Sequence, residues 1–588
     1  MTSKTSSIKR NQAAKLLGAT LRKNIGPLIL LTVAMLLLCP GFMLKSLQET
    51  ETAYLASQIR DMDESIIMIN TVAGCIAVLL FNFINFGFLY TKRAGDVFFA
   101  LPISRASLLF SRALAGFILA AVPVLVSYGA MTVVHLSYGY LVLSGIRTLW
   151  CGALLTAVCM LICSAFSLVF LTVAGSTFDL LVSFAAFNIG GVLLVLMYDS
   201  LCQDLLTGYL FGDITEAMTY ISPAVLCGSA VNDFLYKGSV ASLTSVSVRL
   251  WVLMAVWFVL SVVLAVVLFR RRPTEASGGT YAFRFMPLLC GVVVAQIGAF
   301  AVGMIFSDGE IDFIFWLFAV IGALLLAVTF GAVTNRGFKM LKRSFLIGGI
   351  AVVIMGAVGL MLKFGGLGYT AKIPEIKNIA SVEMTFSGNN DCPASAELAT
   401  EVHREVLQTV KKPIDEQDEL MMVQFHYKLK NGSTLNREFL VPRSEKTDRK
   451  LLAVTCSKER IESLQRQVDA MEKDAYVTFW QNFNATEERT ALSETNIQIT
   501  RSEARQIMAA YLKDLPKATE KIVFSENGVD GYTMEWWNED SVMRHDYQSI
   551  ELRVEPQFTE TKAVLTALQL EERALKQREE VAEDVIEY

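Results

Sequence analysis

The chain has 588 residues, 53% of them hydrophobic, with a mean hydropathy of +0.45. That composition excludes an ordinary soluble globular protein. The formal net charge of −4 hides a division: residues 1–370 hold 24 basic and 16 acidic residues, while 371–588 hold 28 basic and 40 acidic ones, so overall charge says nothing about partners.

In chain order, residues 1–24 carry Lys4, Lys9, Arg10, Lys15, Arg22 and Lys23 without one acid. The apolar run that follows lacks a small-residue cleavage exit, and bulky Leu38 precedes Cys39, so it reads as an uncleaved first helix. About 20 apolar residues span the ~30 Å hydrocarbon core of a bilayer as a helix. Nine such runs occur, at 26–45, 67–90, 114–136, 150–174, 179–198, 250–269, 286–306, 312–334 and 344–364. Basic residues crowd alternate gaps between them. Lys92, Arg93, Arg105 and Arg112 follow the second run. Arg270, Arg271, Arg272 and Arg284 follow the sixth, and Arg336, Lys339, Lys342 and Arg343 the eighth. Such gaps belong in the cytoplasm. That side collects 18 basic residues and three acids (Asp96, Asp179, Glu275), and the other side six basic residues and thirteen acids, chiefly at 49–64 and 307–312. An odd number of crossings then places 371–588 outside the cell.

The interiors of the runs hold almost no ionisable residue. Asp179 and Lys363 sit at span ends, and His135 reads as a hydrogen-bonded interfacial histidine rather than a proton relay. This argues against ion-coupled transport, which needs such groups within the membrane. Asn70, Asn82, Asn85 and Asn188 read as bonds between helices, with substrate contact as the alternative. The dipeptide Gly-Lys is absent, so there is no phosphate-binding P-loop. Ser277-Gly278-Gly279 reads as a flexible turn. Any energy for work must come from another chain.

The gap at 91–105 can receive it. Val97, Phe98 and Leu101 are spaced to share a helical face. Pro102 ends the turn, and Ser104 is placed to cap the next helix. The residues alone fit a lipid anchor and a partner-docking helix equally. The stretch from Lys92 to Gly116, with Asp96, Leu101-Pro102-Ile103-Ser104-Arg105 and Ser111-Arg112, resembles the coupling-helix region of ABC-2 type transporter permeases. The order of elements is similar too: an amphipathic N-terminal helix (1–24; Ala13, Leu17, Leu21), a six-span core (25–272) and a long outer loop between spans five and six. The resemblance implies that this loop docks on a separate ATP-binding-cassette ATPase subunit, through Arg93, Asp96, Phe98, Leu101, Pro102, Ser104 and Arg105. Three further spans (284–365) and the C-terminal domain resemble a Gram-positive bacterial subgroup of that family.

Residues 199–248 stay apolar for a loop (Leu205-Leu206, Tyr209-Leu210-Phe211, 221–226). Irregular backbone at membrane depth must be shielded by protein; the family resemblance implies a re-entrant helical pair closing the outer mouth of a pathway, and the alternative is a surface loop packed on the C-terminal domain. In that domain 379–386 reads as a strand and 396–410 as a helix capped by Ser395. Residues 421–430, Asn431-Gly432 and 434–441 read as a hairpin. Residues 461–472 and 502–512 read as helices, 522–524 and 549–554 as strands, and 571–587 as a charged, exposed helix. The domain is therefore α+β. His403, His426 and His545 are isolated, and GxSxG and HExxH are absent, so no catalytic constellation exists. Asp415, Glu416, Asp418 and Glu419 form a solvated turn or a calcium site. Trp536-Trp537 belongs to the core or to a binding surface. Asn431-Gly-Ser and Asn484-Ala-Thr match a glycosylation pattern, a chance match in a bacterial protein. Of ten cysteines, Cys392 and Cys456 lie here and can bridge only outside the cytoplasm. The rest read as small apolar fillers, and no spacing suggests zinc.

The sequence thus predicts an α-helical polytopic membrane protein with an extracytoplasmic α+β domain, in a bacterial cell membrane. It is expected to be no enzyme itself, with no cofactor or metal in the chain (ATP and Mg lie on the ATPase subunit) and no nucleic-acid partner. Its partners are that ATPase, a second permease copy or paralogue, and the bilayer. Its function is export of a drug, peptide or envelope-related substrate. The competing readings are a ligand or envelope-stress sensor and, third, an enzyme acting on lipid-linked substrates.

Overall fold

In the computed structural model of this protein all residues are described except 1, 50–54, 138–142, 237–241, 387–388, 411–418, 472–474, 481–495, 525–529, 538–546, 571, 574–575 and 577–588. The chain divides into one unit of Met1–Leu201 with Ile214–Leu360, and a second of Cys202–Asp213 with Met361–Tyr588.

In the first unit α1 (Thr2–Lys23) leads into α2 (Ile25–Leu36). Pro40 has no N–H to continue the ladder. The helix widens there into a π turn, Leu37–Gly41, and resumes as α3 (Phe42–Glu49). Next come α4 (Leu55–Asn85), the short α5 (Lys92–Phe99), α6 (Arg105–Ser137), α7 (Leu143–Val173) and α8 (Thr177–Leu205). Then follow α9 (Ala217–Ile221), α10 (Pro223–Tyr236), α11 (Val248–Arg271), α12 (Met286–Phe306), α13 (Phe313–Thr334) and α14 (Leu341–Lys363). Among the described residues nine helices are long and apolar enough to cross a bilayer. Two boundaries differ from the sequence reading. The second candidate span runs over Met62–Asn85 instead of 67–90, because the helix breaks at Phe86 (φ −99°, ψ 5°). The third starts at Arg105 instead of 114, which draws Arg112 into a helix and buries it.

Glycine lets α12 and α13 approach backbone to backbone. A Cβ on Gly322 of α13 would lie 2.4 Å from the carbonyl oxygen of Gly298 on α12. A Cβ on Gly298 would lie 2.5 Å from Leu326 Cγ. Small residues allow backbones to approach where lipid supplies no hydrophobic drive. Gly322→Val should therefore wedge the pair apart at about 1–3 kcal/mol, read as a lowered melting temperature of the purified protein.

The expected helical pair in the long loop is α9 and α10. Leu226, Cys227, Ala230, Val231 and Phe234 of α10 pack into one core with Cys159 and Met160 of α7 and Leu250 and Met254 of α11. Residues 202–213 belong to the second unit.

Among its described residues the second unit has two antiparallel sheets of four strands. β1 (Ile379–Phe386), β2 (Asn389–Pro393), β3 (Leu420–Leu429) and β4 (Thr434–Pro442) take the order β2-β1-β3-β4. Met421, Val423, Phe425 and Tyr427 alternate inward along β3. Gly432, at φ +84°, closes the hairpin as Asn431 Oδ1 accepts from Ser433 N at 3.0 Å. Helix α15 (Ala396–Thr409) is capped by Ser395, whose Oγ accepts from Leu398 N at 3.3 Å; α16 (Glu445–Thr455) and α17 (Lys458–Asp469) follow β4. β5 (Ala475–Trp480), β6 (Asn496–Ile499), β7 (Asp530–Trp537) and β8 (Tyr547–Val554) make the second sheet, β6-β5-β7-β8. Around it lie α18 (Arg501–Asp514), α19 (Lys521–Phe524) and α20 (Thr559–Ala567). Residues 522–524 are thus helical, not a strand. Trp536 is core, 1% exposed. Within this unit Asn436 Nδ2 donates to Asp213 Oδ1 at 2.9 Å, and the Tyr209 and Tyr369 rings lie 6.1 Å apart. Cys392 and Cys456 are separate thiols. The 415–418 acids, Asn484, His545, the Trp537 side chain and most of 571–587 lie outside the described residues.

Candidate docking loop

Residues 86–105 return the chain from α4 into α6. A 3-10 turn, Gly87–Tyr90, buries Phe88 and Leu89, and Thr91 is extended before α5 begins. After α5 the chain bends, with Ile103 N donating to Leu101 O at 2.7 Å. Ser104 Oγ then caps α6 by accepting from Ser107 N at 3.1 Å.

The faces of α5 follow from 100° per residue. Ala94, Gly95, Phe98 and Phe99 turn inward, while Lys92, Arg93, Asp96, Val97 and Ala100 are exposed. Val97, 64% exposed, does not share the apolar face with Phe98; the sequence reading is corrected on this point, because Phe99 takes the inward place. The Phe98 ring lies 4.6 Å from that of Phe88, and Phe99 lies 6.1 Å from Phe269 of α11. Leu101 is half-buried; Pro102 and Ser104 are exposed.

Two arginines hold this helix from its inward side, and a third holds the turn before it. Arg112 stands 4.3 Å from the Phe98 ring centroid and 5.3 Å from that of Phe88, a doubled cation–π contact. Its Nη1 donates to Asn85 O at 3.0 Å. Asn85 Nδ2 donates to Arg112 O at 3.3 Å, and Asn24 Nδ2 donates to Asn85 Oδ1 at 3.0 Å, which ties in the α1–α2 junction. Arg105 lies 5.1 Å from the Phe99 ring and donates from Nη1 to the carbonyls of Arg270 (3.0 Å) and Arg272 (2.7 Å). It thereby serves the orphan carbonyls at the end of α11.

Arg272 is 1% exposed. Its Nη1 donates to Thr172 O at 2.6 Å and Ala174 O at 2.7 Å, and its Nη2 to Leu89 O at 3.1 Å. Burial pushes this guanidinium down to about 10, still charged at neutral pH. Around it the chain after α11 pairs with the end of α7. Ala282 N donates to Val173 O at 2.8 Å and Gly278 N to Gly175 O at 3.0 Å. A Cβ on Gly175 would lie 2.1 Å from Thr280 O, and one on Gly95 would lie 3.3 Å from Ser277 Oγ. Ser277-Gly278-Gly279 is thus a packed turn against α5 rather than a loose one.

The loop therefore presents Arg93, Asp96, Val97 and Ala100 outward on a short helix fastened to α4, α6, α7 and α11. Of the residues predicted for docking, Arg93, Asp96, Pro102 and Ser104 are accessible. Phe98, Leu101 and Arg105 serve mainly to seat the helix. Sequence reasoning missed Arg272 and Asn24. A run of three arginines after a span signals sidedness, but not which arginine turns inward.

Two further polar contacts lie deeper in the first unit. Asn82 Nδ2 donates to Ser164 Oγ and Ser167 Oγ, both at 3.0 Å, as expected of an asparagine between helices. His135 Nε2 meets Asp63 Oδ1 at 2.9 Å; their side chains are 2% and 8% exposed. In the second unit His403 and His426 are each hydrogen-bonded, to Tyr427 (3.0 Å) and Asn436 (3.3 Å). Among the described residues no group of three or more His, Cys, Asp or Glu is placed to hold a metal.

Among the described residues, nine long apolar helices and two antiparallel sheets define the class: a multi-pass membrane protein with a C-terminal α+β unit. Compared with family models, with curated proteins and with solved structures, this chain matches none.

Proposed function

We propose that this chain is the membrane-spanning permease of an ATP-driven exporter of the ABC-2 kind. Its N-terminus and docking loop face the cytosol, and its C-terminal unit lies outside. Two permease chains form the pathway. A separate nucleotide-hydrolysing subunit, which holds ATP and Mg, grips α5. The observation that carries the reading is the seating of α5: Arg93 and Asp96 stand outward beside Val97 and Ala100, while Arg112 and Arg105 hold its inward rings Phe98 and Phe99 and Arg272 ties the preceding turn at Leu89 to the end of α7. A push on such a helix moves those helices instead of bending a loop. The basic end of the helices at this loop supports a cytosolic position.

The test is co-purification from the native host. The double variant R93E/D96K should lower recovery of the nucleotide-hydrolysing companion about tenfold, equivalent to about 1.4 kcal/mol, with an unchanged melting temperature. Equal recovery with both charges reversed overturns the docking assignment.

A further inference from the structure

Two hollows flank α10 in the first unit. One is an apolar slot of about 350 Å³ between α4, α7, α8 and α10, a size within the ~300–1,000 Å³ range of small-molecule sites. The other is a polar cleft of about 590 Å³ over α9, α10 and the start of α11. Ala224, Cys227, Gly228 and Val231 of α10 line the slot, and Val225, Gly228, Ser229 and Asn232 line the cleft. The two sets are one i, i+3, i+4, i+7 pattern displaced by a single residue, so they are neighbouring faces about 100° apart. Helix α10 is therefore the wall between the hollows, and Gly228 belongs to both. A Cβ on Gly228 would meet nothing within 4 Å, so the wall is lowest there. We propose that the two hollows form one amphiphile site for a phospholipid, with an acyl chain in the slot and a head bearing phosphate and ammonium in the cleft.

The slot fits a hydrocarbon chain. Cys163, Cys227 and Val231 form a buried floor. Its polar side chains bond within the protein: Thr71 Oγ1 donates to Ile67 O at 2.8 Å, and Asn188 Nδ2 to Phe184 O at 3.0 Å. Its rim is different. Val72, Ile76 and Ile189 are each more than half exposed, on helices of spanning length. Side chains so exposed on a spanning helix face lipid tails, so the slot opens sideways into hydrocarbon and a chain enters without crossing water. Along α4 the slot runs from Met68 to Leu79, about 16 Å of rise.

The cleft fits the head. Ser247 and Arg249 place it at the start of α11, whereas the docking loop meets the other end of that helix at Arg270. It carries both signs of charge. Arg249 Nη2 donates to Glu216 Oε2 at 2.9 Å, and the guanidinium lies 5.0 Å from the Tyr220 ring. Both partners of this ion pair are exposed, so it is weak and exchanges readily. The guanidinium fork matches a phosphate. Glu216 and Asp233 can accept from an ammonium, which has three donors. Asp233 Oδ2 also accepts from Ser247 N at 3.0 Å, which fixes that carboxylate beside α11. A head with phosphate alone would bring its charge beside two carboxylates.

The test uses the full chain in phosphatidylglycerol nanodiscs with a trace of phospholipid carrying a diazirine in its acyl chain. The probe's head is either phosphatidylethanolamine or phosphatidylglycerol. Adducts on Cys163 and Cys227 are counted by mass spectrometry, because these buried residues lie beyond lipid that merely surrounds the protein. The ethanolamine probe should label them about tenfold more than the glycerol probe, the worth of one charge-assisted contact. Gly228→Phe fills the gap between the hollows, so the two probes should then label equally. Asp233→Asn keeps an oxygen for Ser247 N but removes the charge that faces the ammonium. It should lower the ratio severalfold at an unchanged melting temperature. Equal labelling by both probes in the wild type means that the slot takes hydrocarbon only, and overturns the proposal. A preference that survives Gly228→Phe places the head elsewhere and overturns it too. No adduct on either cysteine means that lipid does not enter, as when a second copy of this chain covers the slot, and likewise overturns it. If Gly228→Phe does not fold, the wild-type ratio and Asp233→Asn decide.

Discussion

Arg272→Ala is expected to unfasten the docking loop. The guanidinium satisfies the carbonyls of Thr172, Ala174 and Leu89 in a site closed to water. A carbonyl left buried without a donor costs about 1–3 kcal/mol. Three of them together place the loss at about 3–9 kcal/mol, a large fraction of a typical protein's stability. Arg272→Lys keeps the charge, but an ammonium on one stem does not copy a planar fork that reaches two carbonyls from one nitrogen and a third from the other. It should recover less than half of the loss. The melting temperature of the detergent-solubilised protein reports this directly, and limited proteolysis at 86–105 should increase in step. A melting temperature within a degree or two of wild type for Arg272→Ala would show the three bonds to be dispensable.

This variant also separates seating from docking. R93E/D96K is expected to lose the companion subunit while melting normally, because both side chains stand outward on α5. Arg272→Ala should lose both properties together, because its contacts lie on the inward side. Asp96 with Arg105 would be a poorer pair for the docking test, since Arg105 bonds to the carbonyls of Arg270 and Arg272. Its replacement would disturb the end of α11 whether or not a partner binds.

The same contrast shows what was legible in the sequence. The nine runs stand out because bilayer thickness imposes a length that few soluble elements share. Their ends do not: hydropathy continues past Asn85 into Phe86, Phe88 and Leu89, and only backbone geometry ends the helix there. The β3–β4 hairpin was readable from the alternation of Met421, Val423, Phe425 and Tyr427 and from Asn431-Gly432, signals local in sequence. Strand β5 is short and has no such turn signal in the sequence beside it, and β7 stands out in the sequence only by its tryptophans. From sequence alone Asp63 reads as part of an acidic loop and His135 as an interfacial residue, because their contact spans 72 positions and depends on how α4 meets α6. Arg272 is chemically identical to Arg271; only the open carbonyls at the end of α7 distinguish them. The outward face of α5 fell between these cases. The period was visible, but whether Val97 or Phe99 turned inward depended on Phe88 and Phe269.

Acid should loosen the second unit through His403. This side chain of α15 holds Tyr427 OH at 3.0 Å from Nδ1, and its ring stacks 4.7 Å from Phe425. Arg437 is buried in the same core, with its guanidinium 4.3 Å from the Tyr369 ring and 5.3 Å from Phe439. Burial first, and the Arg437 charge second, push His403 down to about 3. In the unfolded chain it titrates near 6.5. The unfolded state therefore takes up a proton as pH falls through 6.5, while the folded state refuses it until about 3. The stabilisation is full above pH 6.5 and lost progressively between there and pH 3, to a total of about 5 kcal/mol. Hydrogen exchange of β3 and α15 against pH should show that slope. His403→Phe should cost about 1 kcal/mol at pH 7, through the lost hydrogen bond, and flatten the slope below 6.5. Arg437→Met removes the second cause and leaves the first, so it should shrink the acid loss without abolishing it. If His403→Phe retains the full acid slope, the proton is taken up elsewhere in the unit.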